Sequence, residues 1–205
     1  MCISSYNDSV YNHPLFHVDE RVGRRELSYE EAVVGMPGVD GLDGIKRKTS
    51  AGYPYCLLVE KGGKKDFFGD SGDYEFGSEK ELLLRDEVQN MVTSAKRGER
   101  WLNLCRVTLK DERRKPGKGA RLIMGSSVRH LIASRMLAGA FLQNLQLNRI
   151  INGMAIGLNV YTEADEIVRW LGRDSKYIAG DFSNFDGRLP YFLLARFSDT
   201  QRRVS

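Results

Sequence analysis

Apolar residues at positions 128, 131, 132, 136, 137, 140, 141 and 145 recur at the three-to-four spacing of a helix with one long buried face. This predicts a core helix from Ser126 to Leu147. A second helix is predicted where Ser78 and Glu81 form a capping box ahead of Leu82–Leu84, Val88, Met91 and Val92, ending near Gly98. A shorter one, capped by Ser28 and stopped by Gly35 and Pro37, covers residues 28–34. Leu102 to Leu109 reads as a strand, and Thr162 caps a helix running to Leu171. Gly172 then turns the chain into a short strand, Tyr177 to Ala179, which ends at Asp181; a further helix restarts at Tyr191 and runs to Phe197. Residues 1–25 are polar and irregular. Lys61 to Gly77 carries glycines at 62, 63, 69, 72 and 77 among Lys and Asp, which reads as a surface loop or loose hairpin. No internal repeat is present.

Composition bounds the class. At 41% hydrophobic and 28% charged, the 205 residues can bury a core and are not disordered. Cys2, Cys56 and Cys105 have no paired spacing, which argues for reduced thiols rather than a disulfide framework. No run of about eighteen apolar residues and no signal-peptide pattern occurs, so no membrane span is expected. The net charge of +4 is mild, so any affinity for nucleic acid must come from local clusters such as Lys46–Lys48 and residues 106–121.

Two stretches carry chemistry. Asp181 and Asp186 lie five apart where an apolar strand ends, a place from which carboxylates can hold Mg²⁺ through hard oxygens while leaving positions open for phosphates. With 27 acidic residues in the chain, such spacing alone is weak. The second stretch, Arg106 to Arg121, has seven Lys or Arg against two acids, and Pro116, Gly117 and Gly119 make it a loop. It suits a triphosphate or an RNA backbone, because guanidinium forks bind phosphate bidentately and Lys acts as a point charge. A solvated charged turn is the competing reading. Arg121, flanked by Ala120 and Leu122, is expected to project from a strand with its stem on apolar surface. His13 and His17 share helical spacing but no third ligand is near, so they are read as structural.

With Thr49 to Tyr55, these stretches resemble, in the same order, three motifs of the RNA-dependent RNA polymerases of picornavirus-like (picornavirus, dicistrovirus and iflavirus type) positive-strand RNA viruses. The similarity covers most of residues 27 to 197. It implies an α+β fold of right-hand polymerase architecture, represented by the fingers and the first palm strand and helix. Residues 1–27 would be an irregular N-terminal segment, 28–175 fingers-like, and 176–205 the start of the palm. Thr49, Ser50, Gly52, Tyr53 and Tyr55 would line template entry, although aromatic residues beside Gly-Pro are equally ordinary packing anchors. Lys110, Arg114, Lys115, Lys118 and Arg121 would neutralise the triphosphate, with the alignment among Arg113, Arg114 and Lys115 left open by a shortened loop. Asp181 and the Phe182 carbonyl would ligate Mg²⁺ (or Mn²⁺), and Asp186 would accept a hydrogen bond from the ribose 2′ hydroxyl. Implied partners are RNA template and primer, nucleoside triphosphates and other viral replication proteins, in host cytoplasm at membrane-associated replication complexes. The family's Gly-Asp-Asp does not occur in these residues. The chain is therefore expected to be an internal piece of a polymerase within a polyprotein, inactive alone. Two other readings compete: a nucleotide- and RNA-binding module without turnover, and a reverse-transcriptase-like enzyme, against which Asp186 argues.

Overall fold

A computed structural model describes residues 17–60, 62–117, 119–172, 175–183 and 185–193, with the backbone alone of Asp186. The chain divides into two compact units, residues 26–140 and residues 1–25 with 141–205.

In unit 26–140, helix α1 (Tyr29–Val34) starts at a complete capping box: Glu31 N–H donates to Ser28 Oγ at 3.1 Å and Ser28 N–H to the Glu31 carboxylate at 2.8 Å. It stops at Gly35, whose φ is +78° and where a Cβ would lie 2.2 Å from the Leu42 carbonyl oxygen, so only glycine fits. The Lys61–Gly77 stretch is not a loose loop. It contains the one-turn helix α2 (Lys65–Phe68), and Phe68 is wholly buried. Phe67 and Phe68 pack with Tyr55, Val33, Ile45, Val88 and Val92 in the main core. Composition concealed this, because two adjacent aromatics among glycines have no periodicity to expose them.

Helix α3 (Glu79–Lys96) turns Leu84, Val88, Met91 and Val92 inward. Of the apolar run at its start only Leu84 is core; Leu82 and Leu83 are 53% and 63% exposed. Glu81 is fully buried, accepting from Gly77 N–H at 2.8 Å and from Arg85 Nε at 3.0 Å. Strands β1 (Arg106–Leu109) and β2 (Leu122–Gly125) pair antiparallel, Arg106 opposite Gly125 and Leu109 opposite Leu122. The expected strand thus begins four residues late: residues 102–105 find no ladder among the described residues. Helix α4 (Val128–Leu147) runs to its expected end and starts two residues after Ser126, with Val128, Ile132, Ala133 and Met136 in the core.

In the other unit, the end of α4 is polar inside. Asn148 accepts from His17 N–H and donates to the His17 carbonyl, both at 2.7 Å, and Asn144 donates to the Gly23 carbonyl at 2.8 Å. Side-chain amides thereby replace ladder bonds at His17 and Gly23 and tie them to Asn144 and Asn148. Helix α5 (Ala164–Leu171) has Glu163 rather than Thr162 at its N-cap position, with no side-chain capping bond, and none of its residues is buried. The expected strand Tyr177–Ala179 carries no regular structure, because no described residue pairs with it, and Ile178 is fully exposed. A one-turn helix α6 (Phe185–Arg188) includes Asp186. Residues 191–193 are helical, and 194–197 of the expected helix lie outside the described residues. No helix among the described residues is long and apolar enough to cross a membrane.

Candidate functional site

The Thr49–Tyr55 segment is held from two sides. Gly52, at φ +70°, approaches so closely that a Cβ would lie 2.2 Å from the Ser126 carbonyl oxygen and 2.7 Å from Ser127 Cα. Beside it, Val128 N–H donates to the Ala51 carbonyl at 2.8 Å. The segment therefore docks on the turn between β2 and α4. Asn103 grips the same turn, donating to Ser126 Oγ at 3.0 Å and accepting from Ser127 Oγ at 3.2 Å. On the other side, the buried Lys64 ammonium donates to the Thr49 carbonyl (3.1 Å), Thr49 Oγ1 (2.5 Å) and the Ser50 carbonyl (2.7 Å). Burial pushes its pKa down. Thr49, Ser50 and Tyr53 remain exposed, Tyr53 at 41%. Tyr55 does not: it is 4% exposed, its ring edge-on to Phe67 and its hydroxyl bonded to Glu87. Of the two readings for an aromatic beside Gly-Pro, the structure gives Tyr55 the packing anchor, so its ring is not free to stack on a base.

The basic loop is the tip of the β1–β2 hairpin, extended by one further bond from Lys110 N–H to the Arg121 carbonyl at 2.8 Å. That register brings cations together on one carboxylate. Glu112 pairs with Lys110 Nζ at 3.0 Å, with Arg114 Nε at 3.6 Å and with Nε and Nη2 of the Arg121 guanidinium. Arg121, first, and Lys110 hold its carboxyl at about 2. Arg121 is thus not a stem laid on apolar surface; it follows the turn, 59% exposed, with its fork on Glu112. Arg114 also donates to the Gly119 carbonyl. Arg113 and Lys115 are exposed and make no ion pair among the described residues; Lys118 lies outside them.

Asp181 is exposed, followed by Phe182, whose ring lies 5.9 Å from that of Phe185. The Asp181 carboxylate and the Phe182 carbonyl are hard oxygen donors suited to a divalent cation. Among the described residues no group of three or more His, Cys, Asp or Glu gathers around them or elsewhere.

Sequence reasoning missed Lys64 and Glu112. Lys64 sat in a stretch read as solvent loop. Glu112 was visible only as one acid in a basic run, and the convergence on it needs the hairpin register.

The model of the viral RNA-dependent RNA polymerase family matches residues 5–203. The replicase polyprotein of Cricket paralysis virus is 38% identical over 173 residues, covering 81% of this chain and 10% of the polyprotein. That of Acute bee paralysis virus is 33% identical over 184 residues, 86% of this chain and 9% of the polyprotein. The genome polyprotein of Human rhinovirus 16 is 31% identical over 169 residues, 80% of this chain and 7% of that protein. Among solved structures, the sicinivirus 3Dpol RNA-dependent RNA polymerase superposes with a TM-score of 0.74 at 24% identity, over 98% of this chain and 40% of that one. The chain thus spans about a tenth of the insect-virus polyproteins it matches, its α+β elements have the fold of part of a viral polymerase, and it belongs to the viral RNA-dependent RNA polymerase family.

Proposed function

We propose that this chain is the part of a viral RNA-directed RNA polymerase that admits template and nucleotide and begins the catalytic site, working in genome replication. The observation that carries the reading is the docking of Thr49–Gly52 on Ser126–Val128, at the base of the hairpin whose tip gathers Lys110, Arg114 and Arg121. A candidate template segment and a candidate triphosphate loop are therefore parts of one folded piece.

In this reading Thr49, Ser50, Gly52 and Tyr53 meet the template backbone, and Tyr55 anchors them from the core. Lys110, Arg114, Lys115, Lys118 and Arg121 neutralise the incoming triphosphate. Glu112 keeps Arg121 and Lys110 gathered before phosphate arrives, and a polyanion competes for the same forks. Asp181 and the Phe182 carbonyl would hold Mg²⁺ or Mn²⁺, which when bound would supply Lewis-acid activation of the primer 3′ hydroxyl and neutralise charge on the departing pyrophosphate. Asp186 accepts from the ribose 2′ hydroxyl, which favours ribonucleotides. RNA template, primer, nucleoside triphosphates and further viral replication proteins are the partners, at membrane-associated complexes in the host cytoplasm.

The test is Asp181→Asn in the whole polymerase. Incorporation on a primed template should fall to background with Mg²⁺, while RNA affinity stays within about twofold, because phosphate contacts elsewhere hold the RNA. Incorporation at more than a small fraction of wild type would remove Asp181 from the metal site.

A further inference from the structure

Buried lysines are costly, and the ammonium of Lys64 has no carboxylate to offset it among the described residues. Its three donors instead meet three acceptors, all on Thr49 and Ser50. A neutral amine has only two donors, so the full set exists only while the group is charged. The arrangement is reciprocal. Lys64 N–H donates to the Arg47 carbonyl at 2.6 Å, while Arg47 reaches the other way. Its guanidinium donates to the carbonyls of Phe68 (3.0 Å), Gly72 (2.6 Å) and Asp73 (3.1 Å) and stacks 4.5 Å from the Tyr74 ring centre. Each of the two segments, 46–52 and 63–74, sends a cation into the carbonyls of the other. Within the run Lys46–Lys48, only Arg47 is turned in this way; Lys46 and Lys48 stay exposed.

The consequence for an anionic ligand follows from charge. Backbone carbonyl oxygens repel phosphate, and those of Thr49 and Ser50 are drawn inward by the ammonium. A positive charge lies directly beneath Thr49 and Ser50, residues that themselves remain exposed, and in a partly buried setting its field is poorly screened. We infer that Lys64 is the positioning residue of the Thr49–Gly52 segment, fixing its carbonyls inward and placing a buried positive charge under it, so that the segment receives the RNA backbone. The inference rests on the polymerase reading for the nature of the ligand. The clamp itself rests on the contacts above.

The experiment uses the whole polymerase with Lys64→Met, which keeps the stem and deletes the charge and donors. Incorporation is measured on a primed RNA template, titrating RNA at saturating nucleotide and nucleotide at saturating RNA, beside an equilibrium RNA-binding titration. The KM and Kd for RNA should rise about tenfold or more, since several charge-assisted bonds are lost together. At saturating RNA, kcat and the nucleotide KM should stay within about twofold, and Lys64→Arg should recover part of the RNA affinity. An unchanged RNA KM, or a fall in kcat with RNA KM unchanged, would overturn the inference, because a residue that only supported folding would not act on RNA alone. If the Met variant does not fold, Lys64→Gln carries the same comparison with the charge removed and two N–H donors retained. Failure of the polymerase reading would look different: the wild type would incorporate nothing, and the binding titration would still decide whether Lys64 controls RNA affinity.

Discussion

Lys110, Arg114 and Arg121 stand close enough to repel one another, and Glu112 is the group that lets them do so. Its carboxyl is held at about 2 against an ordinary 4.5, with Arg121 the larger cause. A depressed acid stabilises the folded arrangement fully above the unfolded value and loses that contribution as pH falls through the folded one. The cluster should therefore be intact at and above pH 4.5 and come apart only toward pH 2. A side-chain carboxyl NMR titration checks this: the Glu112 signal should show no transition above pH 4.5, and a midpoint near 4.5 would mean the cations are not gathered on it. The basic character of this loop was legible in the sequence because charge is a local property of residue type. Which acid sits at its centre was not, because Glu112 reaches Arg121 only across the turn that Lys110 N–H and the Arg121 carbonyl close. Lys64 was hidden for a related reason: nothing in Gly-Gly-Lys-Lys-Asp distinguishes a solvated lysine from a buried one.

At the level of elements, helices with both periodicity and a cap signal emerged where the sequence put them. Ser28 with Glu31, and Ser78 ahead of the 84–88–91–92 stripe, are two independent signals agreeing on one start. Strands emerged only in part, Arg106–Leu109 but not the rest, since a strand is defined by a partner that local sequence does not name. Residues 102–105 and 177–179 have the composition and lack the pairing. Between these cases lies α2, where composition misled. Phe68 has no exposed surface and touches the core, so Phe68→Ala should cost about 3–5 kcal/mol by chemical denaturation, the scale for a deleted core aromatic. Leu83, at 63% exposure, is the control, and Leu83→Ala should stay within about 0.5 kcal/mol. A Phe68→Ala loss of less than about 1 kcal/mol would return the 61–77 stretch to the surface loop that its glycines imply.

For the molecule as a whole, charge and apolar surface lead to opposite expectations about what these 205 residues do by themselves. The net charge of +4 is small, yet the exposed cations are local: Lys46 and Lys48 lie just ahead of Thr49, and Arg113 and Lys115 stand free of ion pairs among the described residues at the hairpin tip. Four such contacts are enough for weak RNA binding, with log affinity falling by roughly 0.7 per phosphate contact for each tenfold rise in salt on a single strand. Catalysis asks for more. The described residues offer Asp181 and the Phe182 carbonyl without a further group of ligands around them, and the chain corresponds to 40% of a polymerase of the same fold. Beside Asp181 in the sequence large apolar side chains stand exposed, Ile178 fully and Phe182 at 78%. Such surface favours self-association over a defined site. The 205 residues made alone should therefore bind single-stranded RNA weakly, lose that binding steeply between low and moderate salt, and incorporate no nucleotide on a primed template. A binding titration at two salt concentrations beside an incorporation assay tests both halves. Salt-independent binding would show that the exposed cations are not what holds RNA, and robust incorporation would show that the residues around Asp181 already make a complete catalytic site.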